Sequence, residues 1–117
     1  YAKNIQLAML PAESNIKQLF PEHFIVFKPH GIVSGDFYWV GEHNTYKYFA
    51  VVDCTGHGVP GALMSMLGVI LLDNIIQEKG IHAPSKIIEM LDKGIIQTLH
   101  QEESETQDGM DISICVW

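Results

Sequence analysis

Tyr46 to Leu72 reads YKYFAVVDCTGHGVPGALMSMLGVILL, and its three parts decide the fold. Tyr46 to Val52 is a run rich in aromatic and β-branched residues that ends at Asp53, the pattern of a buried strand delivering a carboxylate to its C-terminal edge. Pro60 suits the first turn of a helix, where its missing N–H costs nothing. From Gly61 to Leu72 the apolar residues leave little polar face, which predicts a buried helix. Ser65 and Gly68 break this run well short of the roughly 18 apolar residues of a bilayer span, so it reads as a core helix.

The turn between strand and helix admits three chemistries. Gly56, Gly58 and Gly61 have the spacing of a dinucleotide-binding loop, in the strand-to-helix context such a loop needs. That reading fails downstream. The helix runs on through Asp73 and Glu78 to Gly80 and meets another helical pattern, where a second parallel strand ending in an acid is required. A carboxylate at Asp53 would also repel a pyrophosphate. Cys54 raises a second option, a thiolate nucleophile of the cysteine-phosphatase kind. Such a site needs positive charge to stabilise the thiolate and bind phosphate, yet Pro60 stands where those enzymes place arginine, and the chain has no arginine. Cys54 therefore reads as a small buried residue.

The third option is a hard-cation site. Upstream, Val33-Ser34-Gly35-Asp36-Phe37-Tyr38-Trp39 opens another strand. A hairpin from Phe37 to Val52, turning through Gly41-Glu42-His43-Asn44, would bring Asp36 and Asp53 together at one end. Two close carboxylates repel unless neutralised, and Mg²⁺ or Mn²⁺ with oxygen ligands neutralises them.

These two segments carry a family resemblance. VSGDFYW followed by VVDCTGHGVPGALMSM resembles the PPM-type (protein phosphatase 2C-like) metal-dependent Ser/Thr phosphatases, and within them the bacterial SpoIIE/RsbU branch with its GDFYD-like and ADxSGHGxPAA-like segments. Ile5-Gln6 with Met9-Leu10-Pro11 is similar to the IQ…LLP opening of the same domains. The resemblance implies an α/β (α+β) fold, a layered β-sandwich with helices packed outside, here as an incomplete domain: residues 1–117 as the N-terminal part of a single phosphatase domain. It implies Asp53 as the carboxylate bridging two Mn²⁺ or Mg²⁺ ions, the Cys54 backbone carbonyl as a ligand to one of them, and Asp36 as a ligand or an orienter of bound water. Further acidic ligands of the family come from later segments that these residues do not include. It also implies a phosphoprotein substrate of the anti-sigma-antagonist type, an upstream sensor domain in the same chain, and room for a homodimer.

Composition fits such a reading. A chain of 117 residues that is 47% hydrophobic can bury a core, although a complete sandwich ordinarily needs more strands than are visible. A formal net charge of −7 without arginine argues against nucleic acid and against direct contact with an anionic membrane. Cys54 and Cys115 show neither a disulfide framework nor zinc spacing, so a cytoplasmic setting is expected.

The remaining segments read as supports. Tyr1 to Leu10 forms a helix with Ile5, Ala8 and Met9 on the inward face, ending before Pro11, and its rotation is a candidate regulatory device. Ser14 to Phe20 is a short helix closed by Pro21, and Phe24-Ile25-Val26-Phe27 a strand that pairs with the hairpin. Gly80 caps the apolar helix. Pro84 opens an amphipathic helix with Ile87, Ile88, Leu91, Ile95, Ile96 and Leu99 on one face. Residues 101–107 form a solvated loop, Asp108-Gly109 a turn, and Met110 to Trp117 a strand of the central sheet.

His57, between two glycines at the helix start, is a candidate for phosphate contact or proton transfer, with a structural role in the turn as the alternative. Asp111 is a site candidate or an edge residue; His23, His30, His43, His82 and His100 show no ligand spacing. The expected function is metal-dependent hydrolysis of phosphoserine or phosphothreonine on a protein, in a bacterial signalling or stress-response pathway, with negligible turnover expected of these residues alone. The alternative is a non-catalytic regulatory or interaction module that keeps the fold.

Overall fold

The computed structural model describes residues 1–29, 31–100 and 109–117. The solvated loop read over 101–107, Asp108 of the turn, and His30 lie outside these described residues. Three strands, β1 (Asp36–His43), β2 (Tyr46–Cys54) and β3 (Met110–Val116), form one antiparallel sheet in the order β1-β2-β3. The architecture is mixed α+β, and the antiparallel pairing removes the dinucleotide fold, whose sheet is parallel.

The β1–β2 hairpin turns later than expected. His43 pairs with Tyr46, which leaves Asn44-Thr45 as the loop, and Gly41, Glu42 and His43 belong to β1 and not to the turn. Asn44 takes φ 56°, a left-handed conformation that its short polar side chain tolerates in two-residue hairpins.

Side chains alternate across the sheet, as a period of two requires. Phe37 and Trp39 of β1 and Tyr48, Ala50, Val52 and Cys54 of β2 point inward. They meet α3 (Gly58–Leu72), a following π-helical turn (Asp73–Glu78) and α4 (Pro84–Leu99). The helices contribute Met64, Val69, Leu72, Ile75, Ile76, Ile87, Leu91 and Ile95 to this single core. The π turn presents both Ile75 and Ile76 inward, and its Asp73 Oδ1 accepts a 2.8 Å hydrogen bond from the Trp39 indole. Tyr48 is fully buried, and its hydroxyl has no hydrogen-bond partner among the described residues.

Four sequence expectations change here. First, α3 starts at Gly58, with Pro60 in its first turn as expected, but it is buried on one side only. Val59, Leu63 and Ile70 are 64%, 60% and 57% exposed, because a helix lying on a single sheet spends one face on it. The continuous helical stretch Gly58–Glu78 is long and apolar enough to cross a bilayer by composition, but its inner side is committed to the core. Second, Ile88 of α4 is 40% exposed, displaced from the buried stripe Ile87, Leu91 and Ile95.

Third, Phe24–Phe27 is not a strand. Among the described residues it pairs with nothing, and Phe24 and Val26 are largely exposed. It crosses the outer face of the sheet instead of lying beside an edge: Phe27 packs edge-on against Tyr38 at 5.6 Å between ring centroids. An apolar groove of about 890 Å³ separates residues 22–28 from Tyr38, Val40, Phe49 and Val51.

Fourth, the inward residue of α1 (Ala2–Met9) is Gln6, while Ile5 and Ala8 are exposed and Met9 is half-buried. The short α2 (Glu13–Leu19) buries Ile16, and the adjoining Phe20 contacts Phe49 and Trp117.

Two substitutions test this core. Leu72→Ala, at a fully buried position, should lower unfolding free energy by about 2–5 kcal/mol in urea titration. Tyr48→Phe should leave stability unchanged or raise it, by up to about 1–3 kcal/mol, since it deletes a buried hydroxyl without a partner.

Candidate metal centre

β1 and β2 end on the same row. Asp36 is paired directly with Asp53, and on the other side Asp53 is paired with Asp111 of β3. All three lie on the outer, exposed face of the sheet. The Asp36 carboxyl is raised above its ordinary value by partial burial first, then by its hydrogen bond with Asp53 and by the Asp53 charge. The expected meeting of Asp36 and Asp53 is therefore what the hairpin register produces.

The turn that follows is shaped by backbone packed on backbone. A Cβ on Gly61 would stand 2.8 Å from the Gly56 carbonyl oxygen and 3.1 Å from Gly35 Cα, and one on Gly35 would stand 2.9 Å from the Gly56 oxygen. The start of α3 thus presses on the loop that leads into β1, and Cys54 N–H donates to the Gly35 carbonyl at 3.2 Å. Gly56 has φ 86°, which suits glycine. These glycines serve close packing around the carboxylates and need no dinucleotide to explain them.

Cys54 faces the core. Its thiol is pushed up to about 12, by burial first and then by the charges of Asp53 and Asp36. A thiol held protonated in this way is no nucleophile at neutral pH, which closes the cysteine-phosphatase reading. His57 is the N-cap residue of α3 and is exposed, so the structure puts it on the turn beyond Asp53. The other described histidines do not join the row: among the described residues, no three His, Cys, Asp or Glu side chains gather closely enough to hold a metal ion. Asp36 and Asp53 set two carboxylates, both oxygen donors, side by side. That chemistry fits a hard divalent cation, whose charge offsets the repulsion between the two carboxylates.

Sequence reasoning missed what holds Asp36 in place. Gln6 reaches from α1 into the protein: its amide nitrogen donates to the Ser34 carbonyl and, at 3.0 Å, to Ser65 Oγ of α3, while its oxygen accepts from Ser34 N–H at 2.7 Å. Ser34 Oγ in turn accepts from Asp36 N–H at 2.9 Å. A glutamine beside Ile5 reads as a surface residue because glutamine is mostly exposed. Its signal lay in the Ile5-Gln6 pair of the domain opening, which hydrophobic periodicity ignores.

Among solved structures, the chain is similar to the SiaA-PP2C domain of Pseudomonas aeruginosa, with a TM-score of 0.84 and 38% identity. The match covers 97% of this chain and 45% of that one, so the chain spans less than half of that structure. No family model and no curated protein matches it.

Gln6→Leu should cost about 1–3 kcal/mol, because Ser34 N–H and C=O lose their partner in a buried site. Ile5→Asp, one position away but exposed, should stay within about 0.5 kcal/mol of the parent. Denaturant titration of both variants checks the contrast.

Proposed function

Because this chain is part of a PPM-type, protein phosphatase 2C-like domain, we propose that the complete protein hydrolyses phosphoserine or phosphothreonine on a protein substrate with Mn²⁺ or Mg²⁺. The observation that carries this reading is the Asp36–Asp53 pair, set face to face at the sheet end with no lysine paired to either among the described residues. When bound, the divalent ions supply Lewis acidity that lowers the pKa of water and neutralises charge on the phosphoryl oxygens.

The chain's own residues do the holding. Asp53, at the end of β2 and flanked by strands on both sides, is the central anchor. Asp36 adds a second carboxylate directly beside it. The Cys54 carbonyl adds a neutral oxygen, while its buried thiol takes no part. Ser34, fixed by Gln6, holds the Asp36 backbone so that its carboxylate keeps the same row. His57, the N-cap residue of α3, is the candidate to meet a phosphate or pass a proton, with a structural role in the turn as the alternative.

The motifs support the SpoIIE/RsbU branch, and with it a bacterial signalling or stress-response pathway in the cytoplasm. A phosphoprotein of the anti-sigma-antagonist type is then the substrate, and a sensor domain in the same protein the source of control, with a homodimer as a compatible assembly. The Gln6 link from α1 through Ser34 to Asp36 is a route by which such a sensor would act.

In the full-length protein, Asp53→Asn should abolish Mn²⁺-dependent release of phosphate from a phosphopeptide, while Cys54→Ala should keep most of it and resist thiol alkylation. Loss of activity with Cys54→Ala at unchanged stability would restore a thiolate mechanism. A wild-type full-length protein that binds Mn²⁺ but releases no phosphate would favour the regulatory module.

A further inference from the structure

The chain leaves the sheet just after Asp53, and one side chain sets how it leaves. Asp53 is the next-to-last residue of β2, and Cys54, paired with Met110, is the last. In the same register Thr55 faces Gly109, and its N–H donates to the Gly109 carbonyl at 2.8 Å. In a regular antiparallel pair of this kind the opposite N–H donates back to the backbone carbonyl. Here Gly109 N–H donates instead to Thr55 Oγ1 at 2.9 Å, and Oγ1 donates to the Gly109 carbonyl at 2.9 Å. The hydroxyl stands in for the Thr55 carbonyl, so the backbone can turn away into Gly56 while β3 stays attached.

The β1 side of this exit is held by close packing. A Cβ on Gly35 or on Gly61 would stand 2.9 or 2.8 Å from the Gly56 carbonyl oxygen, and Cys54 N–H donates to the Gly35 carbonyl at 3.2 Å. Thr55 supplies the hold on the β3 side. A strand end that loses its last cross-strand bonds opens locally, and Asp53 lies two residues from this one. The chemistry required is narrow: a hydroxyl on a short stem both donates and accepts, whereas valine has the same shape and does neither. Thr55 is exposed, so water can replace its bonds and their net contribution to stability is small. What the clamp fixes is geometry.

We propose that Thr55 is a positioning residue of the phosphatase centre, its hydroxyl clamping the start of β3 to the exit of β2 and so holding Asp53 and the turn into α3 in place. This rests on the function proposed above. Thr55 acts through Asp53 and not on the substrate, and a misplacement of about 1 Å is enough to cost roughly a hundredfold in rate.

The test uses the full-length protein with Thr55→Val and Thr55→Ser, reading phosphopeptide kinetics in Mn²⁺ and amide hydrogen exchange in chelator. Thr55→Val should lower kcat roughly ten- to a hundredfold with KM within about twofold of the parent, and should speed exchange at the Gly109 amide without any cation present. Thr55→Ser, which keeps the hydroxyl, should restore both. Parental kcat in Thr55→Val, with an active wild type, would overturn the role of Thr55 and leave the proposed function standing. A wild type that releases no phosphate would overturn that function and this role with it. Equal losses in the valine and serine variants would show that the hydroxyl is not the agent. A loss in Thr55→Val that vanishes well below its melting temperature would reduce Thr55 to a stability element, and either of these last two results would also overturn the proposal.

Discussion

The register of the β1–β2 hairpin is the constraint on which the rest of this structure depends. Because side chains alternate with a period of two, one register places Phe37, Trp39, Tyr48, Ala50 and Val52 in the core and Asp36 and Asp53 together on the outer face. A slip of one residue would bury the carboxylates and expose the aromatic rings. The cost of setting two like charges opposite each other is therefore carried by the burial of a whole sheet face. Hydrophobic burial holds the two carboxylates together against their own repulsion.

The helical layer extends this control to the loop before β1. Gly35 and Gly61 let the start of α3 lie against that loop without an intervening side chain, and Gln6 ties α1, the loop and α3 with hydrogen bonds inside the protein. A buried amide whose partners are satisfied is worth little in net energy but costs much if displaced. This makes α1 a discrete element: it sits in register with Ser34 or it strands polar groups.

Two apolar surfaces are left uncovered in the described residues, the outer groove beneath residues 22–28 and the stripe Val59, Leu63 and Ile70 on α3. The groove adjoins Asp36 and Asp53, and a second β-layer over it is what the sandwich expectation requires. The Phe24–Phe27 stretch has strand composition without a ladder because composition marks suitability for a pleated surface, while pairing needs a neighbouring strand.

By itself the sequence determined the types of the three strands and the main helices, though not that of Phe24–Phe27, together with the strand-to-helix turn at Asp53, the pairing of Asp36 with Asp53, and the family resemblance. These are local: they follow from periodicity, glycine and proline placement, and two motifs joined by a short hairpin. It also excluded a dinucleotide loop, through the missing second strand, and argued against a thiolate at Cys54, through the absence of arginine. Tertiary structure alone decided the long-range facts. Asp111 is 58 positions from Asp53, and only the docking of β3 on β2 makes them neighbours. Gln6 and Ser34 meet across 28 positions, and no pattern in either segment encodes the other. Which face of α3 and α1 is buried was likewise undetermined, because a helix with apolar residues all round carries no directional signal, and a buried polar contact breaks the rule by which direction is read.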